Sequence, residues 1–198
     1  MEISATQIKE LRATTGAGVL ECRKALEQAG GDMEKATAFL KEKGLAKAAK
    51  KADRAVKDGR IEAYAHPGNR VGVILEVNCE SDFVAKTEDF KAFVHDLALH
   101  IAFSNPQYVK PEDIPADVLE ALRAEFRAEA EATGKPANVL DRIVQGKLDK
   151  HLDEVCLLRQ PFVKDDKVKV SDLVTNAIAK LGENILVRRF ARYELGED

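Results

Sequence analysis

Cysteine is scarce in this chain, and its placement excludes two classes at once. Cys22, Cys79 and Cys156 are far apart and odd in number, so they form neither a disulfide framework nor a metal-binding spacing. Each reads as a small buried apolar residue. The four histidines, His66, His95, His100 and His151, are equally scattered, and the step from His95 to His100 suits shared ligation on a helix poorly. No apolar run reaches the roughly 18–20 residues that cross a bilayer. The opening MEISATQIKELR lacks the apolar stretch of a signal peptide, and the expected compartment is the cytoplasm, with no membrane partner. No strand precedes Gly16 and Gly18, so they make no phosphate-binding loop. Neither Gly-x-Ser-x-Gly nor His-Glu-x-x-His occurs. Glu80 and Asp82 form a carboxylate pair with no histidine or ligand set beside it. These absences argue against an enzyme, and for a binding or regulatory protein without cofactor or metal.

What is present is a chain of 198 residues, 45% hydrophobic and 33% charged, the make-up of an ordinary globular protein slightly rich in charge. The net charge of −3 exerts no overall pull on nucleic acid. Charge is unevenly placed. Residues 41–60 carry eight Lys/Arg against three acids, and residues 112–131 carry seven acids against two arginines. Such asymmetry either steers a partner or marks solvated helix faces.

Residues 1–44 read as a three-helix domain. Ser4 and Gln7 make a capping box. The stretch Thr15-Gly16-Ala17-Gly18 breaks the first helix, Gly30-Gly31 ends the second, and Asp32 caps the third. Met33, Ala36, Phe39 and Leu40 are expected inward, with Gly44 closing the helix. Residues 45–58 read as a basic helical linker. In the main domain, residues 59–198, Ile61, Ala63 and Ala65 alternate with Glu62, Tyr64 and His66. Val71, Val73, Leu75 and Val77 alternate in turn, so 60–78 is a hairpin. An apolar stripe from Phe90 to Ala102 predicts a helix. A helix from about Ala116 to Thr133, ending at Gly134, has charges spaced to pair with one another. Another begins at Pro136, and a last one, capped by Ser171, ends at Gly182. In 184–195, Ile185, Val187, Ala191, Tyr193 and Leu195 share one face of a strand and Arg188, Phe190 and Arg192 the other. Hairpin and final strand make a small antiparallel sheet covered by helices, an α+β class.

The chain is organised around residues 71–90, VGVILEVNCESDFVAKTEDF. A strand runs into a polar turn that opens a helix, a place where folds display functional side chains on a rigid support. Phe83, beside Asp82, points either into the core or out at a partner. The segment Arg188-Arg189-Phe190-Ala191-Arg192 suits RNA through phosphate contacts and stacking, or is a sheet edge kept soluble by charge.

Several motifs, in order, resemble one family. Lys9-Glu10-Leu11-Arg12, Thr15-Gly16-Ala17-Gly18 and Cys22-Arg23-Lys24-Ala25-Leu26 resemble the ubiquitin-associated-like three-helix domain of bacterial elongation factor Ts. Ala48-Ala49-Lys50-Lys51-Ala52 resembles its linker. Val77-Asn78-Cys79-Glu80-Ser81-Asp82-Phe83-Val84-Ala85 resembles its central motif, and Gly182-Glu183-Asn184-Ile185 with Arg188-Arg189 a later one. The resemblance spans the chain and matches the short form with a single core. It implies a guanine-nucleotide exchange factor for elongation factor Tu, acting as a homodimer in a 2:2 complex, with no direct nucleic acid partner. It implies that Ser81, Asp82, Phe83 and Val84 act at the partner's magnesium site. Lys9, Arg12, Val19 and Leu20 would contact its nucleotide domain, and His100 is a further candidate contact in the core. Ser81, Glu21 and Val19-Leu20 stand where the family pattern has Thr, Asp and a Met pair. The alternatives are an interaction module without exchange activity and an RNA-binding accessory factor using residues 41–60.

Overall fold

In the computed structural model, which describes residues 3–132 and 136–197, the chain opens with three helices: α1 (Ala5–Thr15), α2 (Val19–Gln28) and α3 (Met33–Ala49). Ser4 caps α1 in a reciprocal box. Its Oγ accepts from the Gln7 N–H at 3.2 Å and its own N–H donates to Gln7 Oε1 at 3.0 Å. Asp32 Oδ1 accepts from the Lys35 N–H at 3.0 Å at the start of α3. Leu11, Cys22, Ala25, Leu26, Ala36 and Leu40 form a core of their own. Phe39, expected inward, is exposed.

Gly44 does not end the third helix. It is buried within α3, where an added Cβ would lie 3.5 Å from Thr175 Cγ2 and 4.0 Å from the Cβ of Ala179. Having no side chain lets α3 approach a helix of the main domain closely, and that burial offsets glycine's poor helix propensity. The expected boundary at residue 44 thus falls inside a helix. The helical linker ends at Ala49, and turns follow over 50–54.

The main domain then runs β1 (Asp58–Ala65), β2 (Val71–Cys79), α4 (Asp82–Ala85), α5 (Glu88–Ser104), α6 (Ala116–Ala132), α7 (Ala137–Val155), β3 (Pro161–Phe162), β4 (Asp165–Lys169), α8 (Val170–Leu181) and β5 (Ile185–Glu194). The architecture is α+β. β2 lies between β1 and β5, antiparallel to both. Val73, Leu75, Val77 and Cys79 of β2, with Ile185 and Val187 of β5, face Phe90, Val94, Leu97 and Ile101 of α5 and Ile178 of α8. Each large side chain buried there contributes about 1.5–3 kcal/mol. At the edge of the sheet, Gly59 has φ +150°, and a Cβ on it would meet the Val77 carbonyl oxygen at 2.2 Å. Only glycine allows this approach of two backbones.

The outer strands depart from the alternation read in the sequence. Tyr64 of β1 packs on the core, whereas Ile61 is 65% exposed. The buried half of β1 is therefore the Glu62–Tyr64 side, because Glu62 and Tyr64 pair across the ladder with Leu75 and Val73, inward residues of β2. In β5 the register jumps. Val187 pairs with Val77 and Arg189 with Glu76, leaving Arg188 as an extra residue. This bulge reverses the faces beyond it. Ile185, Val187, Phe190 and Arg192 point inward, and Ala191, Tyr193 and Leu195 share the open face. Arg192 is drawn in by the Ala102 carbonyl, which accepts from its Nε at 3.2 Å, and by Glu194 and Glu197.

α6 and α7 make a helical hairpin in which, among the described residues, ion pairs cross between the helices, Arg127 with Asp141 and Lys147 with Glu129. The expected end of α6 at Thr133 and Gly134 lies outside the described residues. Ser171 does not cap α8. Lys169 occupies that position, its N–H donating to Asp172 Oδ2 at 3.4 Å. Gly182, with φ +80°, closes α8 as expected.

Candidate functional site

The corner between β2 and α4 is built from both ends of the main domain. β2 delivers Cys79 to the core, and its sheet register leaves Glu80 and Ser81 to turn the chain. Ser81 has extended backbone angles, and its Oγ accepts from the Val84 N–H at 3.4 Å, starting the single turn of α4. Thr87 then caps α5, accepting from the Phe90 N–H at 3.2 Å. Val84 and Ala85 lean on the core while Phe90 is buried in it. With both ends of α4 fixed in this way, Asp82 and Phe83 face outward.

Phe83 is 82% exposed, which settles its orientation. A ring left in water on a braced corner forfeits the burial that usually places phenylalanine inside. Asp82 pairs with Lys86 one turn on, Nζ to Oδ2 at 2.6 Å, and the Lys86 hydrogen bond holds the carboxyl below its usual range. Asp82 is therefore an exposed anion with a displaceable partner.

Behind the corner lies a group of polar side chains from distant parts of the chain. Glu183 Oε2 accepts from the N–H groups of Glu80 and Ser81, each at 3.0 Å, and its Oε1 accepts from the Ser81 hydroxyl at 2.5 Å. Glu80 Oε1 accepts from the Asn184 N–H at 2.6 Å and from Arg54 at 3.4 Å. Asn184 Nδ2 donates to the carbonyls of Ala52 and Arg54 at 3.2 and 3.0 Å. Sequence reasoning assigned no role to Glu183 or Asn184. The available signal was the motif Gly182-Glu183-Asn184-Ile185, an acid and an amide directly after a helix-ending glycine and before a strand.

The second set of predicted residues lies on α1 and α2 of the three-helix module. Lys9 and Arg12 are exposed on α1, and Val19 and Leu20, in the first turn of α2, are half-exposed and largely exposed. The turn 15–18 separates the two pairs. Gly18 precedes α2 without a side-chain cap. Glu21 points the other way. It binds Lys47 of α3 at 2.6 Å and Lys43 at 3.5 Å, and the Lys47 contact lowers its carboxyl pKa. Lys41 reaches Asp172 of α8 at 2.9 Å. These pairs rim a cleft of about 180 Å³ where the module meets α8.

His100 is placed differently from the other predicted residues. It is fully buried. Its Nε2 donates to Gln160 Oε1 at 2.9 Å and its Nδ1 accepts from the Val163 N–H at 3.2 Å, which fixes the neutral tautomer. Gln160 in turn donates to the Glu154 carbonyl at 2.6 Å. His100 thus clasps the segment after α7 to α5 and offers no atom to a partner.

Among the described residues no group of histidine, cysteine and acidic side chains could hold a metal ion, and no helix is long and apolar enough to cross a membrane.

The profile of the family described as Elongation factor TS matches residues 5–197. The chain belongs to the elongation factor Ts family. It is 56% identical over 198 residues to an elongation factor Ts of Herpetosiphon aurantiacus, covering all of both chains. It is 55% identical over 195 residues to that of Carboxydothermus hydrogenoformans, covering 98% of this chain and 90% of the relative. To that of Coprothermobacter proteolyticus it is 54% identical over 197 residues, again covering all of both. The family is one of translation elongation factors, and the match runs along nearly all of this chain rather than over the central motif alone.

Proposed function

We propose that this protein is a cytoplasmic guanine-nucleotide exchange factor for elongation factor Tu, and that it promotes GDP release by disturbing the partner's magnesium site. The observation that carries this reading is Phe83, an exposed aromatic ring on a corner braced from three segments of the chain. Magnesium neutralises phosphate charge in a nucleotide site, so disturbing its surroundings weakens GDP binding. Phe83 enters between partner side chains near the ion. Asp82, released from Lys86, supplies a carboxylate there, while Ser81 and Val84 hold the turn in shape. Lys9, Arg12, Val19 and Leu20 engage the nucleotide domain. No bond is made or broken, so the catalysis lies in the exchange alone. By linkage, if the factor weakens GDP binding, GDP weakens binding of the factor by the same ratio.

The open face of the sheet supports a homodimer and hence a 2:2 complex. Ile61, Ile74, Tyr193 and Leu195 are exposed on it. Glu76 and Arg189 pair within it at 2.7 Å, with Arg188 beside them. A face with these exposed apolar side chains suits a second copy related by a two-fold axis.

The test is release of fluorescent GDP from elongation factor Tu, with wild type and Phe83→Ala. Strong acceleration by wild type and its loss in the variant is the expected result. Acceleration that survives in Phe83→Ala removes the ring from the mechanism. An absence of acceleration by wild type leaves an interaction module in its place.

A further inference from the structure

The single turn of α4 cannot hold itself. Its four residues include none that is buried, and one helical turn is unfavourable without outside support. Yet a ring that wedges into a partner must keep its direction under load, because contact energy spent on ordering the turn is lost to the task. Something behind the corner must supply that stiffness.

We propose that Glu183 is the positioning residue for Phe83, and that Asn184 beside it ties the same corner to the end of the linker. The inference rests on the exchange reading above and names the part that makes the wedge rigid. The geometry has a definite logic. Ser81 has one hydroxyl proton, and it goes to Glu183 Oε1 at 2.5 Å. That leaves the lone pairs of Oγ free to accept from the Val84 N–H, the bond that starts α4. The other carboxylate oxygen receives the N–H groups of Glu80 and Ser81. These are two backbone donors at the point where the β2 ladder has ended, and they have to be satisfied. One carboxylate thus fixes two peptide planes and the direction of the capping hydroxyl. Hydrogen bonds to a charged acceptor are the strong kind.

Asn184 extends the brace. Its backbone N–H donates to Glu80, and its side-chain amide holds the carbonyls of Ala52 and Arg54. The linker that comes from the three-helix module therefore ends on Asn184 and Glu80, next to the Glu183 carboxylate that holds the wedge. Engagement of the module and pressure on Phe83 meet at one hydrogen-bonded joint.

A double-mutant cycle in the GDP-release assay tests this, using Glu183→Ala, Phe83→Ala and the pair. Glu183→Ala is expected to lower the maximal exchange rate about tenfold, as for loss of charged hydrogen bonds, with little change in the factor concentration at half-maximal rate. In the Phe83→Ala background it should cost nothing further, because the brace then has no wedge to hold. Glu183→Gln, which keeps an acceptor for the two N–H groups, should recover part of the loss. Losses that add in the pair, or an unchanged rate in Glu183→Ala, overturn the proposal. Amide hydrogen exchange of the free protein is the partner-independent arm. Glu183→Ala should expose the amides of Glu80, Ser81 and Val84 while those of β2 stay protected, and retained protection at all three overturns the proposal. If wild type accelerates nothing, the exchange reading falls by itself, and the amide data still decide whether Glu183 holds the corner.

Discussion

Phe83 in α4 and Val19 with Leu20 in α2 are apolar side chains set in the first turn of a helix and left in water. They are braced by different means. The α4 corner is held by Glu183 and Glu80–Asn184 contacts that join residues about a hundred positions apart. The tip of α2 has no side-chain cap and depends on the small core around Leu11, Cys22 and Leu26. The first turn of a helix is a natural place for display, because no preceding turn covers it. What differs is whether rigidity comes from long-range hydrogen bonds or from a local hydrophobic cluster, and so which substitutions should damage each site.

The largest effects come from the supports. Phe90→Ala removes the most bulky fully buried side chain beneath the corner and should cost about 3–5 kcal/mol, measured by urea unfolding. Leu26→Ala should cost about 2–5 kcal/mol, but amide exchange should show the loss concentrated in α1 and α2 while β2 stays protected. If the two variants weaken both regions equally, the supports are not separate. Ser81→Ala comes next, with about 0.5–2 kcal/mol from the lost cap. It should be felt at α4 and leave the tip of α2 unchanged in an NMR spectrum. The display residues themselves should matter least for stability. Phe83→Ala and Leu20→Ala should each stay within about 0.5 kcal/mol of wild type, since neither ring nor branch is buried. They should separate in the exchange assay. Phe83→Ala is expected to lower the maximal rate, and Leu20→Ala to raise the concentration needed for half of it.

Acid should also distinguish the two regions. Burial holds His100 below its ordinary value of 6.5, so in the folded protein it stays neutral where the unfolded chain would already take a proton. The stability it contributes is present above about pH 6.5 and is lost as pH falls through the lower folded value. Residues 3–49 contain no histidine. Loosening as pH falls below about 6.5 should therefore begin around Gln160 and Val163 and spare the module, and His100→Gln should flatten the slope.

The sequence by itself determined the local features: the Ser4–Gln7 box, Asp32 and Gly182 at helix ends, the hairpin, and the inward face of β2 and α5. Each follows from spacing or from a side chain bonding its own backbone within a few residues. It also carried, through ordered motifs, the family to which the chain belongs. Tertiary structure decided what depends on a neighbour distant in sequence. Gly44 continues a helix because α8 lies against it. Ile61 is outside because β2 fixes which side of β1 is covered. Arg188 is a bulge, and one extra residue turns Tyr193 and Leu195 to the open face. His100 is a buried clasp because Gln160 and Val163 reach it. Periodicity states which residues share a face, and only packing states which face is covered. Phe83 shows the limit most clearly. Its alternation and its neighbours permit either orientation, and the carboxylate of Glu183, a hundred residues away, completes the corner that points it outward.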